Sequence, residues 1–509
     1  MVMRTYGLSG SGMDIDQMVK DLMKARRVSY DKVWQKKTQV EWKKQDVNTI
    51  YTLADDFRNK TIADFKKQTT LSPKQVTSTN ETVASATANA DAANVSHSLI
   101  VQQLADGVKL SSSGSITDTT AGKTKGTLAD QFDGITATSE FNLEINGKTI
   151  AVKGSMTLNE VVSSINKAGA DVKANYDTTL DRFYLYSNKT GAAATVSFVG
   201  TDTAGLNFLS KLKIDGTQTY TGQDAIVKLD GVELKQSSNT FTVSGVTYTL
   251  KATSFLDTNS DPIPTSIGVQ PDIDKTIANV QSFVDSYNTF MALIQKELKE
   301  DKYSDFAPLT DAQKADMKDS EIKAWEEKAK SGSLRRDPIL TQMASGLRMS
   351  FTEPIKGLTG EYQSATDIGI GTGKYFDDDG KLTAEASNGG KIYVDKDELR
   401  KALEEDPDVV FKIFGTPGDT QSTEGVANRL YDQMQTTLNR LKTEAGTPNV
   451  TDTTSNMAKS IASYKDQLYD MNSRLAQVED RYYKQFNAME TALSNLSKQS
   501  AWLSQQLGG

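Results

Sequence analysis

The stretch that decides the fold is the C-terminal MAKSIASYKDQLYDMNSRLAQVEDRYYKQFNAMETALSNLSKQSAWL, residues 457–503. Its apolar residues recur at alternating steps of four and three and form a line that we call the apolar seam: Met457, Ile461, Tyr464, Leu468, Met471, Leu475, Val478, Tyr482, Met489, Ala492, Leu496 and Leu503, with Gln485 and Gln499 as polar members. This spacing places the seam on one face of a helix underwound to 3.5 residues per turn. A helix over 455–507 would be roughly 80 Å long. Such a rod needs a partner that covers its apolar face.

The N-terminal sequence offers part of that partner. Val33, Val40 and Val47 recur every seven residues, and Ile50 follows Val47 by three. Heptad spacing is typical of helices that wrap around one another. We therefore predict an intramolecular coiled coil made by Val33, Val40, Val47, Ile50, Phe57 and Ile461.

A separate helical stripe is predicted upstream, where Ile15, Met18, Val19, Leu22 and Met23 share one helix face. Asp14 is the expected N-cap, because a short side-chain oxygen can accept from the free amides of the first turn. Two interpretations of the terminal helices stay open at this point. They form either a helical hairpin that buries only its own seam, or a pair that also packs between subunits of a filament or ring.

The polar and aromatic members of the seam favour the second interpretation, since they suit a surface that exchanges partners better than a sealed core. The residues that we predict to contact other subunits or a filament are Ile15, Met18, Val19, Leu22, Leu468, Leu475, Met489, Leu496 and Leu503.

Composition narrows the classes of function. The 509 residues carry 58 Lys and Arg against 66 Asp and Glu, a net charge of −8 that argues against nucleic acid or an anionic membrane as a partner. No stretch approaches the roughly 20 apolar residues of a membrane span, and the first residues do not resemble a signal peptide. Cysteine is absent, which excludes disulfides and cysteine metal sites.

The middle of the chain predicts β-structure. Asn146-Gly147 lies between alternating runs, which is the strongest short-range signal for a hairpin because both turn positions need positive φ. A short helix is expected over 158–165, with strands over 172–176 and 183–186 and further strands over 225–234 and 241–250. The helical period returns over 273–298, and charged helices follow around 311–317 and 321–330, where Thr310 and Gln313 fit a capping box.

Little in the sequence indicates catalysis, and we predict that the chain is not an enzyme and needs no cofactor or metal. His97 is the only histidine, and it falls in a predicted strand. Asp377-Asp378-Asp379-Gly380 lacks the later glutamate of a calcium loop, so a hairpin turn is the better interpretation.

Several segments recur in a characteristic order along the chain: the glycine-rich opening 7–16, the stretch 145–174, the block 309–332, the segments 367–370 and 379–382, Gly425-Val426-Ala427, and 485–490. In this order they resemble the bacterial flagellar filament cap family, also called flagellar hook-associated protein 2, and the stretch 145–174 is similar to a repeat of flagellins and cap proteins.

The resemblance implies a structural cap at the distal tip of the flagellar filament. Such proteins form a homo-oligomeric ring, commonly of five subunits, which holds exported flagellin and promotes its folding and polymerisation. It also implies the hook–filament junction protein and a cytoplasmic export chaperone as partners, an extracellular location, and export by the flagellar type III system without a cleaved signal peptide.

Two alternatives remain at this stage. One is another axial protein of the flagellum, either flagellin or the hook–filament junction protein. The other is a surface adhesin, with host mucin or matrix as an added partner.

The expected fold is α+β and multidomain, with long terminal coiled-coil helices flanking inserted β-rich head domains. The predicted divisions are an N-terminal helical leg (1–45), a helix of the leg or stalk (46–74), a β-rich head domain (75–130 and 225–270), an inserted α+β head domain with the flagellin-like repeat (131–224), a helical and hairpin stalk (271–450) and a C-terminal coiled-coil leg (451–509).

Overall fold

The computed structural model describes residues 14–372, 390–448 and 450–507. The glycine-rich opening before Asp14 and the predicted turn at 377–380 lie outside these residues. The helices are α1 (Ile15–Asp56), α2 (Ala63–Phe65), α3 (Gln68–Leu71), α4 (Leu128–Gln131), α5 (Leu158–Lys167), α6 (Thr203–Lys211), α7 (Ile273–Lys299), α8 (Asp311–Ala315), α9 (Asp319–Lys330), α10 (Pro338–Thr352), α11 (Lys396–Glu405), α12 (Val409–Phe414), α13 (Val426–Ala445) and α14 (Asn456–Leu507).

The strands of the described residues are short. They are β1 (Lys74–Ser78), β2 (Ala84–Ala88), β3 (Ser96–Gln103), β4 (Lys109–Ser111), β5 (Glu140–Ile145), β6 (Lys148–Lys153), β7 (Val172–Asp177), β8 (Arg182–Ser187), β9 (Thr195–Ser197), β10 (Thr219–Thr221), β11 (Ala225–Leu229), β12 (Val232–Gln236), β13 (Thr240–Val243), β14 (Val246–Leu250), β15 (Thr265–Pro271), β16 (Ile370–Gly371) and β17 (Tyr393–Val394). Long terminal helices that flank a β-rich region confirm the expected fold class.

The chain divides into two compact units, one made of residues 1–71 and 273–509 and the other of residues 72–272. The first unit is almost entirely helical. Its core is formed by α7, α10 and α13 together with the end of α1, and it contains Val47, Ile50 and Phe57. Phe57 begins a π-helical turn over Phe57–Ile62, and its ring stacks on Phe290 of α7 at 4.6 Å between centroids.

Arg429 is the largest fully buried side chain of this helical unit. Its guanidinium donates to the carbonyl oxygens of Glu353 (2.7 Å), Pro354 (3.0 Å) and Ser422 (3.2 Å). These bonds join α13 to the residues that follow α10 and to those that precede α13. Burial lowers the pKa of Arg429, an effect that the nearby Glu353 and Glu424 oppose.

The second unit contains two apolar clusters. One lies between a five-stranded sheet of order β1-β15-β3-β11-β12 and a three-stranded sheet of order β13-β14-β2. The other is covered by the sheet β4-β8-β7, the hairpin β5-β6 and the helices α5 and α6. All pairings within these sheets are antiparallel.

Local turn chemistry follows the sequence closely. Asn146 and Gly147 have φ of 49° and 73° between β5 and β6, which confirms the predicted hairpin. The Thr310 hydroxyl and the Gln313 side chain form the expected capping box at α8. The helix predicted over 158–165 is α5, which extends two residues further.

The two apolar stripes predicted near the N-terminus belong to one continuous helix. Residues 15–23 and 33–56 both lie in the 42-residue helix α1. Nothing between the two stretches breaks the helix, because residues 24–32 contain neither glycine nor proline. Asp14 caps it as predicted and accepts from the N–H of Gln17 at 2.9 Å.

Candidate functional site

The terminal helices α1 and α14 pack along each other within the helical unit. The pairing is antiparallel, since Lys44 lies beside Asp452 at the start of α14 and Asp16 lies beside Tyr483 further along it. The hydroxyl of Tyr483 donates to Asp16 Oδ1 at 2.9 Å. α1 is therefore the first partner of the apolar seam.

Near the N-terminus, three buried residues of α1 form a small cluster: Ile15, Val19 and Met23. They pack against one face of α14, which presents Leu475, Val478, Tyr482, Tyr483 and Phe486. The side chain of Arg26 extends along the same interface and donates from Nε to the Tyr482 hydroxyl at 3.2 Å. This cluster joins the first turns of α1 to the middle of α14.

At the other end of α1, the heptad residues enter the core of the helical unit. Val47, Ile50 and Phe57 are buried there, and Val40 packs against them partly buried. Val33 and Ile461 are half-buried in α1 and α14. The six residues predicted for an intramolecular coiled coil thus lie along the paired helices and the core that continues from them.

The residues predicted for assembly contacts fall into two groups. Ile15, Val19 and Leu468 are buried within the chain, and Leu475 packs against the cluster at the start of α1. The exposed group consists of Met18, Leu22, Met489, Leu496 and Leu503. The structure thus brings the first group into the helix pair and leaves the second on the surface.

The covered face of α14 departs from the predicted seam after Tyr482. Phe486 is half-buried and Glu490 is buried, whereas the neighbouring seam positions Gln485 and Met489 are exposed. A straight α-helix repeats every 3.6 residues and drifts by about 20° per heptad from a 3.5-residue line. The covered residues follow the 3.6-residue repeat, whereas the seam follows a 3.5-residue repeat. The seam therefore rotates away from the covered face, and its positions after Tyr482 face solvent.

Tyr483 and Phe486 lie outside the predicted seam for this reason. Both are aromatic, and they lie one position after seam members Tyr482 and Gln485. A stripe drawn with a period of 3.6 residues from Leu475 would have included them.

We call residues 489–507 the α14 overhang, because its apolar side chains lie on the surface beyond the cluster around Val19. Its exposed apolar residues are Met489, Leu493, Leu496, Trp502 and Leu503. Leu496 is 60% exposed and Trp502 is 59% exposed, which is high for side chains of this size. Adjacent exposed apolar residues of this kind mark interaction surfaces.

The start of α14 is fixed by Asp452. Its carboxylate accepts hydrogen bonds from the ammonium of Lys44 at 2.7 Å and from the N–H groups of Thr454 and Ser455, each at 3.1 Å. Burial alone would raise the pKa of Asp452, but these bonds and that from the Ser455 hydroxyl hold it well below its usual range. The carboxylate is therefore ionised at neutral pH and ties α1 to the first turn of α14.

His97 lies in β3, where Nδ1 is 2.6 Å from Oδ2 of Asp230 in the turn between β11 and β12. The hydrogen bond with His97 lowers the pKa of Asp230, and the N–H of Ser98 acts in the same direction. His97 thus connects a strand to a neighbouring turn.

The residues that the structure describes contain no group of three or more His, Asp or Glu side chains placed to hold a metal ion. Within the same residues, no helix is long and apolar enough to cross a membrane.

Comparison with protein families gives three matches along the chain. The model described as flagellar hook-associated protein 2 C-terminus matches residues 222–498, and the corresponding N-terminus model matches residues 11–107. The flagellin hook IN motif matches residues 140–189, the part of the chain in which the sequence resembles the flagellin repeat.

Individual relatives agree with these matches over most of the chain. The flagellar hook-associated protein 2 of Halalkalibacterium halodurans is 28% identical, and the alignment covers 99% of each chain. The A-type flagellar hook-associated protein 2 of Pseudomonas aeruginosa is 23% identical, over 98% of this chain and 96% of the relative.

The crystal structure of the D1-D2-D3 domains of the flagellar cap protein FliD from Escherichia coli shares the fold. Its TM-score is 0.53 at 19% identity, and the match covers 82% of this chain and 99% of that chain. The C-terminal family model alone spans more than half of the sequence, so the chain belongs to the flagellar hook-associated protein 2 family.

Proposed function

We propose that the chain is a structural cap at the distal tip of a bacterial flagellar filament. In this role, copies of the chain form a ring that holds exported flagellin and promotes its folding and polymerisation. Family membership and the names of the relatives support this role. The role requires no chemical catalysis, only binding and controlled release of subunits.

The observation that carries the proposal is the α14 overhang. A helix of 52 residues with an apolar face at its far end is costly to leave in water, unless another surface covers that face in the assembled state. In the proposed cap, the overhang contacts neighbouring copies and the filament end. The buried residues Ile15, Val19 and Leu468 and the half-buried Leu475 support these contacts by holding α14 in position.

The composition of the overhang suits a contact that is made and released repeatedly. Its apolar residues are interrupted by serine and glutamine, notably at Ser494, Ser497, Gln499 and Ser500. A continuous leucine stripe would bury more apolar area in one fixed register. Mixed side chains allow several packings of similar free energy, as stepping from one subunit position to the next requires.

The remaining parts of the chain take the roles that the family implies. We propose that the β-rich residues of the second unit form the head and that the helical unit forms the leg and stalk. The proposed partners are further copies of the chain, flagellin, the hook–filament junction protein and an export chaperone. Export through the flagellar type III channel agrees with the absence of cysteine, since no disulfide has to be opened before transit.

The test is a single charge placed in the overhang. Leu496→Asp should abolish filament growth in cells that depend on this chain, because a carboxylate cannot enter an apolar contact without a partner. Flagellin should then appear as free monomer in the medium. Circular dichroism of the purified variant should match the unmodified chain, since Leu496 is exposed.

Gln505→Asp is the matched control. It adds the same charge nine residues away, on the opposite side of the helix, where the side chain is also exposed. Cells with this variant should build normal filaments. Normal filaments with Leu496→Asp as well would overturn the proposed role of the overhang.

A further inference from the structure

The turn between β14 and β15 exposes three large apolar side chains. Phe255 is 56% exposed, Leu256 is 61% exposed and Ile263 is 49% exposed. The Ile263 N–H donates to the Phe255 carbonyl at 2.7 Å, and a β-bridge joins Leu256 to Pro262. These residues therefore form a small ordered hairpin, and we call residues 255–263 the hairpin tip.

The hairpin tip is acidic as well as apolar. Asp257 closes it, because Oδ1 accepts from the N–H groups of Asn259 (2.8 Å) and Asp261 (2.9 Å). Residues 252–264 include no lysine or arginine. The tip thus presents preformed apolar side chains beside two carboxylates.

A surface with basic and aromatic side chains lies on the sheet β4-β8-β7 of the same unit. Tyr184 and Tyr186 project from β8 on the side away from the apolar core, and their rings stack at 6.1 Å with 6° between planes. Tyr186 is directly opposite Lys109 of β4 and Lys173 of β7. We call this outward side of the sheet the tyrosine face.

The tyrosine face carries an excess of positive charge. Its outward positions include the basic residues Lys109, Lys173 and Arg182 and the acidic residue Asp177. Lys109 is paired with Asp106 at 2.7 Å, and both side chains are exposed, so this pair is weakly held. Lys173 is exposed next to Tyr186. Tyrosine and arginine are enriched where protein surfaces meet.

We propose that the hairpin tip of one copy docks on the tyrosine face of a second copy. The apolar side chains of the tip would cover the stacked tyrosines, and Asp261 would approach Lys173. Charge and apolar character are complementary between the two surfaces, and each copy carries both. The inference rests on the ring of the proposed function and assigns one of its contacts.

A contact between two different surfaces is heterologous, and repetition of such a contact closes into a ring when the rotation allows it. A stable interface of standard size buries about 800 Å² on each partner, which is more than a hairpin tip provides. The tip is therefore one part of a larger interface, and its loss should weaken the ring without abolishing every contact.

A charge swap in the full-length chain tests the pairing. Lys173→Glu and Asp261→Lys should each raise the concentration at which the chain assembles by about tenfold, as measured by sedimentation velocity. The double variant should assemble at nearly the concentration of the unmodified chain. Lys148→Glu, at an exposed lysine that begins β6, is the charge-matched control and should leave assembly unchanged.

Cross-linking tests the head-to-tail geometry directly, since the chain has no cysteine of its own. A mixture of the Lys173→Cys and Asp261→Cys proteins should form a disulfide-linked dimer under mild oxidation, whereas neither protein alone should do so efficiently. A mixture of Lys148→Cys with Asp261→Cys is the control.

Three results would overturn the contact: unchanged assembly of both single charge variants, a double variant no better than either single one, or no preferential cross-link in the mixture. An unmodified chain that stays monomeric at every concentration would overturn it as well. The first three results leave the cap function untouched, which Leu496→Asp tests separately by filament growth in cells, whereas a chain that is always monomeric would also contradict the proposed ring. Conversely, the contact would stand if Leu496→Asp left filament growth intact while the Lys173→Glu/Asp261→Lys double variant still restored assembly.

Discussion

The ammonium of Lys44 lies 2.7 Å from Oδ2 of Asp452, although 408 residues separate them along the chain. The pair joins α1 to the start of α14 and so sets the register of the two terminal helices. Gly446, which follows the last residue of α13, lies close to the same carboxylate: its φ is 77°, and a Cβ there would lie 2.4 Å from Asp452 Oδ2. One aspartate thus joins α1 to the start of α14 and leaves no room for a side chain at Gly446.

The first prediction concerns this pair. Asp452→Ala should lower the free energy of unfolding of the helical unit by about 2 kcal/mol, since it removes both the ion pair and the bonds to the first turn of α14. Lys44→Met should cost less, about 1 kcal/mol, because the bonds from Thr454 and Ser455 remain. Urea unfolding followed by helical circular dichroism measures both changes.

Lys67→Met is the control, since Lys67 and Asp64 form an exposed pair within one turn and should contribute almost nothing. Equal effects of Lys44→Met and Lys67→Met would show that the junction does not depend on the long-range pair.

The second prediction concerns the buried cluster at the start of α1. Val19 is 1% exposed, and Val19→Ala should destabilise the contact with α14 by about 2 kcal/mol through the loss of two buried methyl groups. Hydrogen exchange in the first turns of α1 and around Tyr482 should accelerate. Met18→Ala, at the exposed neighbouring position, should leave exchange unchanged, and faster exchange in both variants would point to fraying of α1 instead.

The helix pair shows which features of the fold the sequence alone predicts. The spacing of the seam predicts α14 to within one residue at its start, because a regular apolar stripe depends only on local sequence. The covered flank of α14 could not be predicted in the same way. It depends on the difference between periods of 3.5 and 3.6 residues and on where α1 begins, so the seam does not include Tyr483 and Phe486.

Turns can likewise be predicted from local sequence, whereas long-range contacts cannot. The hairpin at Asn146-Gly147 follows from two residues that tolerate positive φ, so it is readable from the sequence. The short apolar run Val409–Phe414 is compatible with either a strand or a helix. It forms the helix α12 because it packs in the core of the helical unit. The partners of Arg429 are carbonyl groups, which carry no signature in the sequence.

The third prediction concerns Arg429. Arg429→Met should destabilise the helical unit by about 3 kcal/mol, because the carbonyl oxygens of Glu353, Pro354 and Ser422 lose the buried guanidinium that donates to them. Arg429→Lys should rescue little, since an ammonium cannot reproduce the fork of a guanidinium. Arg440→Met is the control at an exposed position of the same helix. Equal midpoint temperatures of thermal unfolding for Arg429→Met and Arg440→Met would contradict the prediction.

The fourth prediction concerns the carboxylate of Asp181, which is buried in the second unit. It accepts from the Thr117 N–H (2.7 Å), the Thr117 hydroxyl (2.9 Å) and the Tyr176 hydroxyl (2.7 Å), and from the Ser115 hydroxyl. Asp181→Asn should lower the free energy of unfolding at pH 7 by about 2 kcal/mol, because an amide cannot accept all of these bonds. Asp133→Asn, at a side chain that is 91% exposed, is the control.

The last prediction is the pH dependence of the same site. Burial alone would raise the pKa of Asp181, but the bonds from Ser115, Tyr176 and Thr117 outweigh it and lower the pKa to about 2, from 3.8 in an unfolded chain. The folded state therefore binds the proton less readily than the unfolded state. The stabilisation is fully present above about pH 4 and is lost as the pH falls toward 2. Urea unfolding followed by tyrosine fluorescence should show the difference between the unmodified chain and Asp181→Asn shrinking over this interval, while Asp133→Asn follows the unmodified chain throughout. A difference that stays constant from pH 5 to pH 2 would mean that Asp181 contributes through packing and not through its charge.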